Sequence, residues 1–378
     1  MSEPARILHL HSTFSLGGKE ARAVRLMNAF GGRARHTILS AMPDELGARE
    51  AIDASVVADF PADAPSLAGK PGLGRYRALA DYMRRFDLVL SYNWGAMDGV
   101  MAHRLFGAGL PPIIHHEDGF NADEADRLKT KRSVFRRLAF PTLYKLVVPS
   151  DRLRAIARSV WKQPEDRVQQ IANGIPVERY AAPPEADAIP GLTRRLDEII
   201  VGTIAGLRAV KDLPRLVRAV AALPENVRLV IVGEGPERAA IEAEAARCGI
   251  AERVLLAGFL DRPWRYVGNF DIFALSSRSE QFPISVVEAM ASGLPVASPA
   301  VGDVATMVSD QNKPLIGSGD GDLRAALERL VTDAANRDSI GAANREKARA
   351  EYGEGRMIGA YAALYGEALG NRRLLTGE

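Results

Sequence analysis

Two glutamates, Glu280 and Glu288, stand at an E-x7-E spacing within SEQFPISVVEAMASGLPVA. The residues before them, 270–275, are apolar and read as a buried strand. Pro283 suits the first helical position, where its missing N–H costs nothing. Residues 284–291 continue in helical period, Gly293 suits the cap at their end, and 294–297 reads as the next strand. A strand–loop–helix of this kind aims free backbone N–H groups at its loop, and the helix dipole favours an anion there. Glu280 falls just ahead of the helix and Glu288 about one turn inside it. One carboxylate can then hold polar groups near a bound phosphate, and the other a hydroxyl farther along the ligand. Two solvated acids on an ordinary αβ unit would be the plainer reading of any E-x7-E. Here the flanking Phe-Pro, the run EAMASGLPV and the later VGD narrow it.

Three other stretches carry chemistry. SLGGKEARAVRLMNAF follows the first apolar strand, and Gly17 and Gly18 allow the backbone to approach a ligand at a helix opening that suits phosphate. It has neither the dinucleotide fingerprint nor the Lys-Ser/Thr ending of a P-loop, and a simple tight turn would look the same. IIHHEDGF sets His115, His116, Glu117 and Asp118 in a row after a buried strand. Four ionisable groups are costly to leave in a core, so they are expected to face a ligand cleft and to be candidates for acid–base work. The alternative is a loop whose side chains cap the next helix. In GLRAVKDL, Arg208 and Lys211 sit in a loop after a strand, where cations can meet a diphosphate without a metal.

These groups need a frame. Short apolar strands (HTILSA, SVVADF, LVLSY, PPIIHH, KLVVPS) alternate with helical stretches, which implies parallel sheets covered on both faces, with ligands outside the carboxyl ends of the strands. At 378 residues the chain is comfortable for two such domains. The Asn173-Gly174 turn and Pro183, Pro184 and Pro190 mark a linker, giving domains at 1–180 and 181–352 and a last helical segment at 353–378. A net charge of +2 implies no general affinity for nucleic acid. The single cysteine, Cys248, excludes a disulfide framework and a Cys-based metal site. No apolar run is long enough to span a bilayer, and no signal-peptide pattern opens the chain, so a cytoplasmic protein is expected. Residues 126–145, DRLKTKRSVFRRLAFPTLYK, interleave Lys129, Lys131, Arg132, Arg136 and Arg137 with apolar residues. They fit either a crossover helix with a wet basic face or a stretch that lies on an anionic membrane surface.

SEQFPISVVEAMASGLPVA resembles the E-x7-E signature of glycosyltransferase family 4, retaining enzymes of GT-B fold. The resemblance extends over nearly the whole chain and is strongest from 201 to 303. It implies two Rossmann-like doubly wound domains facing a cleft, the second holding a nucleotide sugar. It also implies that the last helix crosses back onto the first domain. Glu280 would lie by the donor sugar and Glu288 would hold the ribose. The glycine loop of Gly17 and Gly18 would face the donor phosphates and the acceptor. Lys211 matches the lysine of the family's G-R-L-x-x-x-K pattern; the family arginine falls on Gly206, with Arg208 two residues on as its substitute. Backbone groups near Gly258, Phe259 and Leu260 would read the base. The family histidine falls on Asp118 when aligned on Glu117 and Gly119, and on His115 or His116 when aligned on the strand end; a shared role of His116 and Asp118 is expected.

The expected activity is retaining transfer of a sugar from a UDP- or GDP-sugar to a hydroxyl of a glycan or lipid-linked acceptor, in polysaccharide or cell-envelope assembly. Lys211, Arg208 and the helix start at Gln281, Phe282 and Pro283 would steady the departing diphosphate, and no metal or other cofactor is expected. A peripheral position at the inner face of a membrane is compatible with 126–145. The alternative is a non-catalytic nucleotide-sugar-binding subunit, suggested by Gly206 and Asp118 at functional family positions. An epimerase of the same fold would need carboxylates around the sugar ring, and the intact E-x7-E argues against it.

Overall fold

The computed structural model describes residues 3–15, 17–70, 72–120, 122–124, 127–371 and 374–376. Asp126, the first residue of the basic stretch, and Leu16, in the first glycine turn, lie outside the described residues. Contacts divide the chain into two compact units, Met1–Asn173 with Gly355–Glu378, and Gly174–Glu354.

The first unit runs β1 (Ala5–His11), α1 (Gly18–Phe30), β2 (Ala34–Ser40), β3 (Val57–Asp59), α2 (Leu73–Met83), β4 (Leu88–Tyr92), α3 (Met97–Phe106), β5 (Ile113–His116), α4 (Thr130–Ala139), β6 (Lys145–Val148), α5 (Asp151–Ser159) and β7 (Val168–Gln170). The seven strands pair in parallel in the order β3-β2-β1-β4-β5-β6-β7. Alternation along β1 gives the sheet two apolar faces. Ala5 and Ile7 pack with Ala23, Val24, Met27 and Phe30 of α1. Leu8 and Leu10 pack on the opposite face with Tyr76, Leu79 and Met83 of α2 and Val100 of α3.

The second unit runs β8 (Ile199–Ile204), α6 (Leu213–Ala221), β9 (Val227–Val232), α7 (Arg238–Arg247), β10 (Val254–Gly258), β11 (Ile272–Ala274), α8 (Ile284–Ala291), β12 (Val296–Pro299), α9 (Val304–Met307), β13 (Ile316–Gly317), α10 (Asp320–Thr332) and α11 (Ala334–Glu351). Its six strands are ordered β10-β9-β8-β11-β12-β13, again parallel. Val201, Leu229 and Ile231 pack with Leu216, Val217 and Val220 of α6 and Leu327 of α10. The last helix, α12 (Glu354–Ala368), returns to the first unit, where Met357, Tyr361 and Tyr365 join the α1 side of the core.

Both sheets are doubly wound Rossmann-like sheets, as the alternation in the sequence requires. β7 and β13 carry no sequence signal: VQQ has one apolar residue, and Ile316-Gly317 is only two residues long. Pro283 stands one place ahead of the expected position, as the N-cap of α8 rather than its first residue, with an extended ψ of 108°.

Candidate active site

In the second sheet the strand order reverses between β8 and β11, so the loops leaving their carboxyl ends part and open a crevice where ligands bind in sheets of this kind. Lys211 comes from the loop after β8 and Glu280 from the loop after β11. They meet there, with Lys211 Nζ 2.5 Å from Glu280 Oε1. Ser277 Oγ donates to the same oxygen at 2.6 Å. Ser276 Oγ donates to the Lys211 carbonyl at 2.8 Å, and Arg278 N–H to the Val210 carbonyl at 2.9 Å, so the two loops are laced together behind the ion pair. Both charged side chains are largely covered, Lys211 at 25% and Glu280 at 11% exposure.

Two glycine devices hold these loops. A Cβ on Gly235 (φ +155°) would lie 2.4 Å from the Leu207 carbonyl, and one on Gly233 (φ +139°) 2.0 Å from that of Ala205. Only glycine lets the turn after β9 lie against the loop that carries Arg208 and Lys211. Gly302 (φ +55°) does the same for Glu280: a Cβ there would meet the carbonyl oxygens of Glu280 and Gln281, each at 2.7 Å. Arg208 is exposed, and its guanidinium pairs with no acid among the described residues. A Cβ built on Gly206 would stand 3.8 Å from Arg208 Nε, so Arg208 lies over the surface that a side chain at 206 would cover.

Glu288 is half-buried on α8, and its Oε1 accepts from the Tyr180 hydroxyl at 3.1 Å. The start of α8 has no side-chain cap, and Phe282 sets its ring edge-on to Tyr352. Gln281 is buried with its Oε1 unpaired. At the end of β10 the Gly258 carbonyl accepts from Gly233 N–H at 2.8 Å and the Leu260 carbonyl from the Tyr266 hydroxyl at 3.5 Å. Phe259 between them is 64% exposed. A cavity of about 690 Å³ lies nearby, lined by Arg179, Ala182, Pro183, Glu185, Arg262, Trp264 and Arg265.

The first unit corrects one expectation. His115, His116 and Glu117 do not face a cleft; all three are core residues with partners inside the unit. Arg136 grips Glu117 with Nε–Oε2 at 2.9 Å and Nη2–Oε1 at 3.0 Å, and both side chains are fully buried. Burial would push Glu117 up; Arg136 and the neighbouring His115 outweigh it and hold the carboxyl below the usual range. Arg136 is thus no part of a wet basic face, and Lys129 and Arg132 of the same stretch pair with Asp123 and Glu124.

His116 has both ring nitrogens engaged. Nδ1 faces the Ser91 carbonyl at 3.1 Å, and Nε2 faces the Tyr365 hydroxyl at 2.7 Å. A carbonyl only accepts, so Nδ1 carries the proton and Nε2 accepts from Tyr365. Farther into the core, the Tyr92 hydroxyl meets His9 Nδ1 at 3.2 Å, and His9 Nε2 meets His36 Nδ1 at 3.0 Å. The buried His36 Nε2 has no hydrogen-bond partner among the described residues. Burial pushes His9, His36 and His116 down, His36 to about 4, which keeps the chain neutral.

Asp118 is the one member of the row that reaches the surface, at 14% side-chain exposure. It is paired with Arg22 through both oxygens, one contact at 2.8 Å, and its N–H donates to Asn93 Oδ1 at 2.7 Å. Arg22 also reaches Asn173 Oδ1 at 2.9 Å. The ends of β4 and β5 and the first turns of α1 therefore converge on one ion pair. Gly17 is the extended N-cap of α1, with Gly18 its first residue, and the opening is already occupied: Glu20, 4% exposed and paired with Lys19, would stand 2.9 Å from a Cβ on Gly17. Sequence reasoning missed Arg22, Arg136, Ser277 and Tyr180. An arginine inside the apolar stripe of α1 was a signal for Arg22; nothing local marks Tyr180, whose partner is 108 residues away. Among the described residues no group of three or more His, Cys, Asp or Glu is placed to hold a metal ion.

Residues 186–347 match the family model for glycosyl transferases group 1. The chain is 28% identical over 322 residues to the putative glycosyltransferase EpsF of Bacillus subtilis, covering 78% of this chain and 79% of that one. It is 33% identical over 247 residues to a D-inositol 3-phosphate glycosyltransferase of Mycobacteroides abscessus, covering 61% and 55%. It is 28% identical over 214 residues to the lipopolysaccharide core biosynthesis glycosyltransferase LpsD of Rhizobium meliloti, covering 56% and 60%, so the chain spans little more than half the length of these last two. Among solved structures, Anabaena Alr3699/HepE in complex with UDP superposes with a TM-score of 0.76 at 19% identity over 96% of this chain and 100% of that one. WaaG, a glycosyltransferase involved in lipopolysaccharide biosynthesis, superposes with a TM-score of 0.65 at 16% identity over 99% and 100%. At those identities the likeness is one of fold. Sequence over 186–347 and fold over nearly the whole length agree: this is a chain of GT-B fold whose second domain carries the glycosyl transferases group 1 pattern.

Proposed function

We propose that the protein is a retaining glycosyltransferase of family 4 type. It moves a sugar from a UDP- or GDP-sugar to a hydroxyl of a glycan or lipid-linked acceptor in cell-envelope or polysaccharide assembly. The observation that carries this reading is the Lys211–Glu280 pair at the reversal point of the second sheet, inside the segment that matches the family model. The second domain binds the donor. Lys211 and Arg208 bring positive charge to the diphosphate, and the uncapped start of α8, at Gln281, Phe282 and Pro283, offers N–H groups to it. As the sugar–phosphate bond breaks, negative charge moves onto the departing diphosphate, where these groups lower its energy. Glu280 steadies the positive charge that develops at the anomeric carbon. The acceptor attacks from the face the diphosphate leaves, which then takes its proton, so Glu280 forms no covalent bond. Glu288 holds the ribose, the backbone at Gly258, Phe259 and Leu260 reads the base, and the glycine loop of Gly17 and Gly18 lies by the donor phosphates and the acceptor. With two cations at the diphosphate, the reaction is proposed to need no metal.

The first domain supplies the acceptor side through the Arg22–Asp118 pair. His116, with both nitrogens engaged, acts by fixing the strand end under Asp118 rather than by taking a proton. On α4, Val134 and Leu138 are exposed at 44% and 60%, and Lys131 and Arg137 are exposed on the same helix. This is the face proposed to rest on an anionic membrane surface at the cytoplasmic side. The engagement of His116 and Asp118 also favours a second reading, a nucleotide-sugar-binding subunit without turnover.

Incubating the purified protein with single UDP- and GDP-sugars separates the two. Slow release of nucleoside diphosphate is expected of the enzyme, and binding without release is the mark of the subunit. In the same assay Glu280→Ala should cut turnover more than nucleotide affinity, and Glu288→Ala should weaken nucleotide binding and sharply reduce the thermal stabilisation that nucleotide gives. That stabilisation is roughly 2.7 kcal/mol at a hundred times the dissociation constant.

A further inference from the structure

Tyr180 stands on a short 3-10 turn, Val177–Ala181, that packs on α8. It is 4% exposed, yet its hydroxyl ends at the Glu288 carboxylate, 3.1 Å from Oε1. The ring cannot swing: Trp264 meets it edge-on with centroids 6.4 Å apart, and the Arg179 guanidinium lies 4.8 Å over the other ring, that of Trp264. A phenol on a packed ring has two torsions and little freedom, so its hydroxyl marks one point in space. Glu288 is the opposite kind of side chain, with three torsions and half-exposed. A second phenol, Tyr266, also stands near it: burial first, and the Glu288 charge after it, push that group up. The carboxylate is therefore held between buried aromatic groups rather than waving in solvent.

We propose that Tyr180 is a positioning residue for nucleotide binding: its hydroxyl fixes one oxygen of Glu288, so that the carboxylate presents itself to the two hydroxyls of a ribose in a single rotamer. This rests on the reading of Glu288 as the carboxylate that holds the nucleotide. A ribose diol donates two hydrogen bonds to one carboxylate only if the carboxylate plane is set correctly. A phenol donor sets that plane without adding a competing charge. Removing the hydroxyl leaves the ring and its packing in place and takes from Glu288 the donor that fixes its Oε1. Each binding event must then order that side chain, a loss of about three- to tenfold in affinity.

The test uses the full chain and titrates UDP and GDP, by calorimetry, into the wild type, Tyr180→Phe, Glu288→Ala and the double variant. Donor KM and kcat are measured alongside. Tyr180→Phe should weaken the nucleotide that binds by about three- to tenfold and raise donor KM by the same factor. It should leave kcat at saturating donor within about twofold. In the Glu288→Ala background the same change should have no further effect. Unchanged affinity in Tyr180→Phe, with Glu288→Ala weakened, overturns the positioning role alone. A loss that persists undiminished in the Glu288→Ala background also overturns it, since Tyr180 would then act without Glu288. Unchanged affinity in Glu288→Ala overturns the reading of Glu288 and this inference with it.

Discussion

Replacing Arg136 by methionine should destabilise the first domain more than any surface change in the chain. The side chain is fully buried, and so is its partner Glu117. Two parallel hydrogen bonds, at 2.9 and 3.0 Å, join them. The guanidinium is boxed by aromatic rings, 4.9 Å from the Trp161 centroid, 5.0 Å from Trp94 and 5.8 Å from Phe120. Methionine fills most of that volume but leaves the carboxylate with one neighbour, His115, at 3.4 Å. An uncompensated buried charge of this kind costs about 3–5 kcal/mol. For a domain of this size each kcal/mol moves the melting temperature by about 2–4 °C, so a fall of roughly 6–20 °C is expected. Two of the three tryptophans, Trp94 and Trp161, lie against Arg136, and with Trp264 of the second unit replaced by Phe the tryptophan fluorescence reports this domain's transition during heating or urea titration. Adding Glu117→Gln to Arg136→Met removes the orphaned charge and should recover most of the loss. A shift under about 2 °C, or a double variant no more stable than the single one, would refute the argument that charge pairing rather than volume holds this core together.

The histidine chain predicts a pH dependence of stability. His36 is held neutral in the fold, down to about 4 by burial, whereas in the unfolded chain it titrates near its ordinary 6.5. The unfolded state then binds more protons below 6.5, so stability is complete above that pH and is lost as pH falls toward about 4, by roughly 3 kcal/mol from this residue. His9 and His116 act in the same direction. Urea midpoints at falling pH should decline across this window, and His36→Asn should flatten the decline; a level profile would contradict the neutral chain. Gly302→Ala sets a methyl group against two backbone oxygens that cannot rotate away and strains a left-handed residue. It should displace the Glu280 loop and weaken nucleotide binding by at least about tenfold while the protein stays folded, which titration and a melting curve check together.

Much of the architecture was legible because parallel sheets buried on both faces write themselves as short apolar runs. LVLSY is β4, and the helical period ending at Gly293 is α8, with Gly293 itself at φ +78°. β7, with one apolar residue in VQQ, and β13, only two residues long, carry no such signal. The ionisable row at the end of β5, whose last two residues are His115 and His116, misled for a related reason. Its cost in a core is real, but a partner buried with it offsets that cost, and Arg136 comes from a helix whose pattern reads as a basic surface. The Lys211–Glu280 meeting, 69 residues apart, could be anticipated only through the family pattern, because what joins them is the reversal of strand order at β8 and β11. Arg22 with Asp118 and Tyr180 with Glu288 belong to the same class: contacts made by topology, invisible to local spacing.

The central claim is that a nucleotide sugar's diphosphate lodges at the ends of β8 and β11. Crystals soaked with UDP and with GDP test it most directly. The account predicts diphosphate oxygens within hydrogen-bonding distance of Lys211 Nζ and the start of α8, with the ribose at Glu288. A nucleotide bound anywhere else on the chain, with Lys211 still closed on Glu280, would contradict it.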